Sequence, residues 1–187
     1  TLAVRQPGSA FKPFVYLTAM QNGFTPASII EDKEEEFAKG WKPQNSDMQW
    51  HGKVSLRTAL KRSLNVPTIK LAREVGVDKI VANVEKMGIT TLVDSGAYSD
   101  VNLAMALGGL SKGVNPLEMA SAYGVLATNG LYNKPIALLK IVDRDGKVLY
   151  QAKPQSKRVV DAASAYLTTN MLEDVLVSGT GGGMGIG

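Results

Sequence analysis

Three prolines, Pro13, Pro67 and Pro116, constrain this chain most tightly, because each stands at the head of an apolar pattern with helical spacing. Proline is tolerated in the first turn of a helix and breaks the helix further in, so each marks a helix start. Pro13 predicts a helix that carries Phe14 to Met20 and begins within a residue or two of Ser9. Pro67 predicts one running to Val75 and ended by Gly76, and Pro116 one running to about Thr128 before Gly130. Ser55 to Ser63 and Asp78 to Met87 carry the same period, the latter closed by Gly88, and the set is expected to pack as one helical layer. A last helix, from about Ala162 to Leu176, is expected to turn Tyr166, Leu167, Met171 and Val175 inward. The clearest β signal is Asp145-Gly146 between the branched runs Ala137 to Val142 and Lys147 to Gln151, which predicts a hairpin. No repeat or linker divides the chain, so a single helix-rich α+β unit is expected.

Composition serves mainly to exclude. A hydrophobic content of 44% over 187 residues suffices for a core, and the lack of cysteine removes disulfides and thiolate metal sites. His51, the only histidine, rules out a multi-histidine metal site and leaves a Ser-His-Asp triad resting on one Trp-His-Gly loop. No metal and no cofactor are expected. The glycine-rich tail from Ser178 to Gly187 has no phosphate-loop lysine, which argues against nucleotide binding and for a mobile loop. The formal charge of +4 is scattered among acidic residues without an arginine-aromatic stripe, so no nucleic acid partner is expected. No stretch approaches the roughly 18 apolar residues that cross a bilayer, and none resembles a signal peptide. The acidic run Glu31 to Glu36 reads as a solvated loop rather than a metal site. Glu118, three residues after the cap Asn115, reads as a capping carboxylate rather than a catalytic one.

Chemistry enters with Ser9 and Lys12. Three residues apart, they can share one face of a helix, where neighbours lie about 5 to 6 Å apart at Cβ. An amine in a partly dry pocket can lose its proton near neutral pH and take one from a serine, which is the Ser-Lys form of nucleophile activation. Ser9 alone also fits a plain helix cap. A second pair, Ser63 and Asn65, lies in the loop between two helical patterns. There a hydroxyl and an amide could face a shared cleft, or Asn65 could simply cap the helix that Pro67 opens.

Taken together, Ser9-x-x-Lys12 and Ser63-x-Asn65 resemble the first two motifs of the penicillin-binding-protein transpeptidase family, which shares its fold with serine β-lactamases. Gln6-Pro7-Gly8-Ser9-Ala10-Phe11-Lys12-Pro13-Phe14 is similar to the nucleophile segment of the class A, bifunctional branch. So are Trp41-Lys42-Pro43-Gln44-Asn45 and Gly52 to Leu60 to its approach to the second motif, and Ala106-Leu107-Gly108-Gly109 with Gly113 to Tyr123 to a further signature. The resemblance runs along nearly the whole chain.

It implies that Ser9 is the acylated nucleophile with its backbone N–H in the oxyanion hole, and that Lys12 is the activating base. It implies further that Ser63 relays a proton to the leaving amine and that Asn65 binds the substrate backbone. The implied partners are peptidoglycan stem peptides ending in D-Ala-D-Ala and β-lactams, with an upstream glycosyltransferase domain and a membrane anchor in the parent protein. The implied location is the outer face of the bacterial cytoplasmic membrane. The third motif, Lys-Thr-Gly or Lys-Ser-Gly, occurs nowhere. Residues 1–187 are therefore expected to be a partial domain without its first strands and its third-motif strands, weak or inactive alone, with an open groove or bare sheet edge beside Ser9. D,D-carboxypeptidase, β-lactamase, β-lactam sensor and non-catalytic helical fragment are the alternative readings.

Overall fold

The computed structural model describes residues 3–184. A short 3-10 turn, Gly8–Phe11, runs directly into helix α1, Lys12–Gln21, with Pro13 in its first turn as the sequence predicts. Every α1 residue from Lys12 to Met20 is buried. A helix covered on all sides belongs at the centre of a domain. Helix α2 (Leu56–Lys61), α3 (Asn65–Val75), α4 (Val77–Lys86) and the late helix α6 (Ala162–Ser178) all pack against it. The expected layer of α2, α3 and α4 is thus a sleeve around α1.

Helix α5, Pro116–Ala127, matches its predicted span, and the Asn115 side chain caps it by accepting the Glu118 N–H at 2.9 Å. Glu118 itself departs from the capping role. Its carboxylate accepts the Thr90 N–H at 3.2 Å and the Thr90 and Thr91 hydroxyls at 2.6 and 3.2 Å, tying the segment after α4 to α5. Helix α6 also departs from expectation in its facing, for Tyr166 is 62% exposed while Ala165, Thr168 and Met171 are buried. The inward stripe is set by a 3-4 spacing from Ala165, and Tyr166 lies one position round the helix.

Among the described residues the strands form three antiparallel ribbons: β1 (Ile29–Asp32) with β2 (Gly52–Ser55), β3 (Leu131–Asn133) with β6 (Ser156–Arg158), and β4 (Lys140–Val142) with β5 (Val148–Gln151). The last is the predicted hairpin, shorter than its sequence pattern and irregular beside Val142. Strand β1 contains the first two residues of the acidic run, Glu31 and Asp32, and here the solvated-loop expectation fails. Asp32 is fully buried, and Glu35 pairs with Lys70 at 3.1 Å and Arg73 at 2.7 Å, while Lys33 and Glu34 stay exposed. Alternation along β1 buries every second side chain, which takes Asp32 inward with Ile30.

The tail, expected to be loose, is laid against α2 and α6 in its described part: the Thr180 N–H donates to Lys61 O at 3.2 Å and the Gly181 N–H to Val175 O at 3.0 Å. The rest of that tail, residues 185–187, lies outside the described residues. Among the described residues no helix is long and apolar enough to cross a membrane.

The segment before Ser9 is clasped by the loop that precedes α5. Arg5 and Val114 exchange both backbone hydrogen bonds, at 3.0 and 2.9 Å, and the Gln6 side chain bonds both the N–H and the carbonyl of Leu110. Glycines make this closeness possible: a Cβ on Gly108 would sit 2.2 Å from Gly8 O, and one on Gly113 would sit 2.4 Å from Arg5 O. Gly108→Ala is therefore expected to destabilise the protein by about 2 to 4 kcal/mol, adding overpacking to a left-handed backbone cost. Urea unfolding of the variant checks this, and a loss below about 0.5 kcal/mol would show that the clasp gives way freely.

Candidate active site

Lys12 is 1% exposed, the first residue of α1, and its Nζ reaches across to the α2–α3 loop. It donates to Ser63 O at 2.6 Å, Ser63 Oγ at 3.0 Å and Asn65 Oδ1 at 2.7 Å. Three acceptors match the three N–H groups of an ammonium. No carboxylate pairs with Lys12 among the described residues, and burial alone pulls its pKa from 10.5 down to about 8. Desolvation disfavours the charged form of an amine, so about a tenth of the Lys12 side chains are neutral at pH 7.

Ser63 takes a left-handed conformation, φ 53°, which is uncommon outside glycine. That turn aims its carbonyl and its hydroxyl at the same amine. Asn65 is the first residue of α3, and its side chain does not cap the helix: Oδ1 faces Lys12, and Nδ2 donates to Gln44 O at 2.7 Å. The capping alternative for Asn65 is thereby corrected, because its amide is engaged by long-range partners.

Ser9 lies in the 3-10 turn, exposed, beside a groove of about 240 Å3 that Lys12, Ser63, Leu60, Tyr123 and Thr180 also line. The structure thus gathers Ser9, Lys12 and Ser63 on one groove and joins Asn65 to them through the Lys12 amine. Between Ser9 and Lys12 themselves there is no hydrogen bond among the described residues. A fully engaged ammonium has nothing left to offer Ser9, and only a neutral amine has a lone pair for the serine proton.

Sequence reasoning gave Tyr123 no role. Its hydroxyl donates to Ala10 O at 2.7 Å, and its ring meets Phe14 edge-on at 5.3 Å, which pins the Ser9-bearing turn to α5. Burial pushes its phenol up to about 12, so it stays a hydrogen-bond donor. The only signal for it was its place at the end of the signature from Gly113. His51 is near Asp32 and Asp47, at 2.8 and 3.1 Å, and makes no bond to Ser9 among the described residues, so it forms no triad with it.

A family model described as the penicillin binding protein transpeptidase domain matches residues 3–186. The chain belongs to that family. Its class A character follows from relatives such as penicillin-binding protein 1F of Bacillus subtilis, 37% identical over 95% of this chain and 24% of that protein. Penicillin-binding protein 1A of Clostridium botulinum is likewise 37% identical over 95% of this chain and 22% of its own length. Among solved structures, penicillin-binding protein 1A from Haemophilus influenzae superposes with a TM-score of 0.85 at 26% identity, covering 98% of this chain and 31% of that one. The PonA1 protein from Mycobacterium tuberculosis in complex with penicillin V gives 0.82 at 26% identity over 91% of this chain and 47% of that one. The chain spans about a quarter of the length of the curated relatives it matches.

The buried amine has a thermodynamic signature. Between pH 8 and 10.5 the unfolded chain holds the Lys12 proton and the folded protein has released it, so this group makes stability rise with pH across that window. Below pH 8 the full cost of the buried charge applies. The change in unfolding free energy between pH 7 and pH 10, from urea unfolding, is expected to differ between the parent and Lys12→Met by up to about 3 kcal/mol, the parent gaining at high pH. Parallel pH profiles would show that Lys12 keeps its ordinary pKa.

Proposed function

We propose that this segment forms the nucleophile side of a serine D,D-transpeptidase that cross-links peptidoglycan stem peptides and is acylated by β-lactams. The observation that carries the reading is the buried Lys12, held by Ser63 and Asn65 at the wall of the groove that exposes Ser9. Neutral Lys12 takes the Ser9 proton as Oγ attacks the carbonyl between the two terminal D-alanines. The C–N bond breaks, and the proton returns from Lys12 through the Ser63 hydroxyl to the departing amine, leaving an ester on Ser9. An acceptor amine then attacks the ester, and Ser9 recovers its proton. The free hydrogen of the Asn65 amide bonds the substrate backbone, and the Ser9 N–H holds the developing oxyanion. With a β-lactam the broken C–N bond lies in the ring, so the amine stays tethered and the ester persists.

We assign the Lys-Thr-Gly strand, the first strands of the domain, a glycosyltransferase domain and the membrane anchor to other parts of a longer class A parent working at the outer face of the cytoplasmic membrane. The fraction of each relative's length that the chain spans supports this. So does the open groove beside Ser9. Hydrolysis of the ester by water, as in a D,D-carboxypeptidase or β-lactamase, differs only in the acceptor.

In the full-length protein, labelled penicillin is expected to leave one adduct, mapped to Ser9 by peptide mass analysis and absent in Ser9→Ala. Lys12→Met is expected to slow acylation about 100- to 10000-fold, the range for loss of a general base. The acylation rate should climb with pH and level off above about 8 as Lys12 loses its proton. An adduct on another residue, or an undiminished rate in Lys12→Met, would overturn the assignment.

A further inference from the structure

Asn65 serves the proposed site only while its Oδ1 faces Lys12, and two neighbouring residues enforce that direction. Gln44 O can only accept, so the group facing it is Nδ2, which leaves Oδ1 for Lys12. The backbone N–H of Asn65, in the first turn of α3, has no partner within the helix. It donates instead to Asn45 Oδ1 at 2.8 Å. Asn45 is 2% exposed and fully engaged, for its Nδ2 donates to Asp32 Oδ2 at 2.8 Å and to Gln49 O at 2.9 Å. Asp32 Oδ2 in turn meets the His51 N–H at 3.0 Å and His51 Nδ1 at 2.8 Å.

This arrangement is expensive as a device for stability. Asp32 is 0% exposed, and its Oδ1 has no hydrogen-bond partner among the described residues. A buried carboxylate with one oxygen unmatched costs several kcal/mol that a well-packed apolar side chain would avoid. What the polar chain supplies is direction: Asp32 and Gln49 O fix which way the Asn45 amide faces, and its Oδ1 then holds the Asn65 backbone in place.

We propose that Asn45 is a positioning residue for acyl transfer, clamping the start of α3 so that Asn65 holds Lys12, with the buried Asp32, itself bonded by His51, as its anchor. The inference rests on the reading of Ser9 and Lys12 given under Proposed function. Asn45 touches no reacting atom. It acts through Asn65, and its loss removes one acceptor from the Lys12 ammonium, which favours the neutral amine while misplacing the substrate-binding amide.

Penicillin acylation of the full-length protein is measured against pH for the parent and Asn45→Ala, with each rate normalised to the titrated active fraction. The expected result is a plateau at least tenfold lower and a midpoint displaced to lower pH by about half a unit or more. An unchanged normalised rate overturns the proposal. So does a lower rate with an unmoved midpoint, because a merely structural role lowers the folded fraction without altering how Lys12 titrates. Asn45→Ser, whose hydroxyl cannot span Asn65 and Asp32 together, replaces the alanine variant if that fails to fold and carries the same two outcomes. If the parent forms no Ser9 adduct, the functional reading fails, whereas a reactive parent with an unaffected Asn45 variant sinks the positioning role alone.

Discussion

The architecture depends on an amine being kept dry. Lys12 opens the central helix and is 1% exposed although it lines the groove, so its charge is stabilised by the oxygens that the α2–α3 loop brings to it. Salt-bridging it to a carboxylate would have fixed it as a permanent cation. Neutral acceptors hold it in place and still let burial lower its pKa. The α2–α3 loop is thus both the structural mate of the helix start and the chemical environment of its first side chain.

The Ser9 side is built by different means. Short backbone contacts across glycines hold Arg5 to Gly8 against the loop before α5, and Tyr123 ties Ala10 to that same helix. These contacts leave the turn rigid while its hydroxyl stays open to the groove. One wall therefore fixes Ser9 through the main chain, and the opposite wall holds Lys12 through the Ser63 carbonyl and the Ser63 and Asn65 side chains.

Most of the helices were legible because their boundaries are local: Pro13, Pro67, Pro116 and Gly76 act within a turn of where they stand. The Ser9, Lys12, Ser63 and Asn65 set was legible through its spacing and its resemblance to a family. Asp32 and Asn45 were not. Asp32 reads as one more charge in an acidic run, and what buries it is a partner 13 residues away together with the strand period of β1. Glu118 misled for a similar reason, since its spacing from Asn115 fits a capping box while Thr90 and Thr91, distant in sequence, compete for the carboxylate and win it. Tyr166 failed by a single step of helical phase.

Ser63 couples two quantities that are usually separate. Its left-handed backbone, φ 53°, costs roughly 1 to 2 kcal/mol for a residue with a Cβ, and the Lys12 bonds to its carbonyl and hydroxyl offset that cost. A neutral amine has two hydrogens for the three acceptors that the ammonium satisfies. Each loss of the Lys12 proton accordingly leaves the amine with one donor fewer for three oxygens, two of them on Ser63 and one on Asn65, and each return restores it. The proton is then also a latch on the α2–α3 loop, whose hold on Ser63 and Asn65 changes as it leaves and returns.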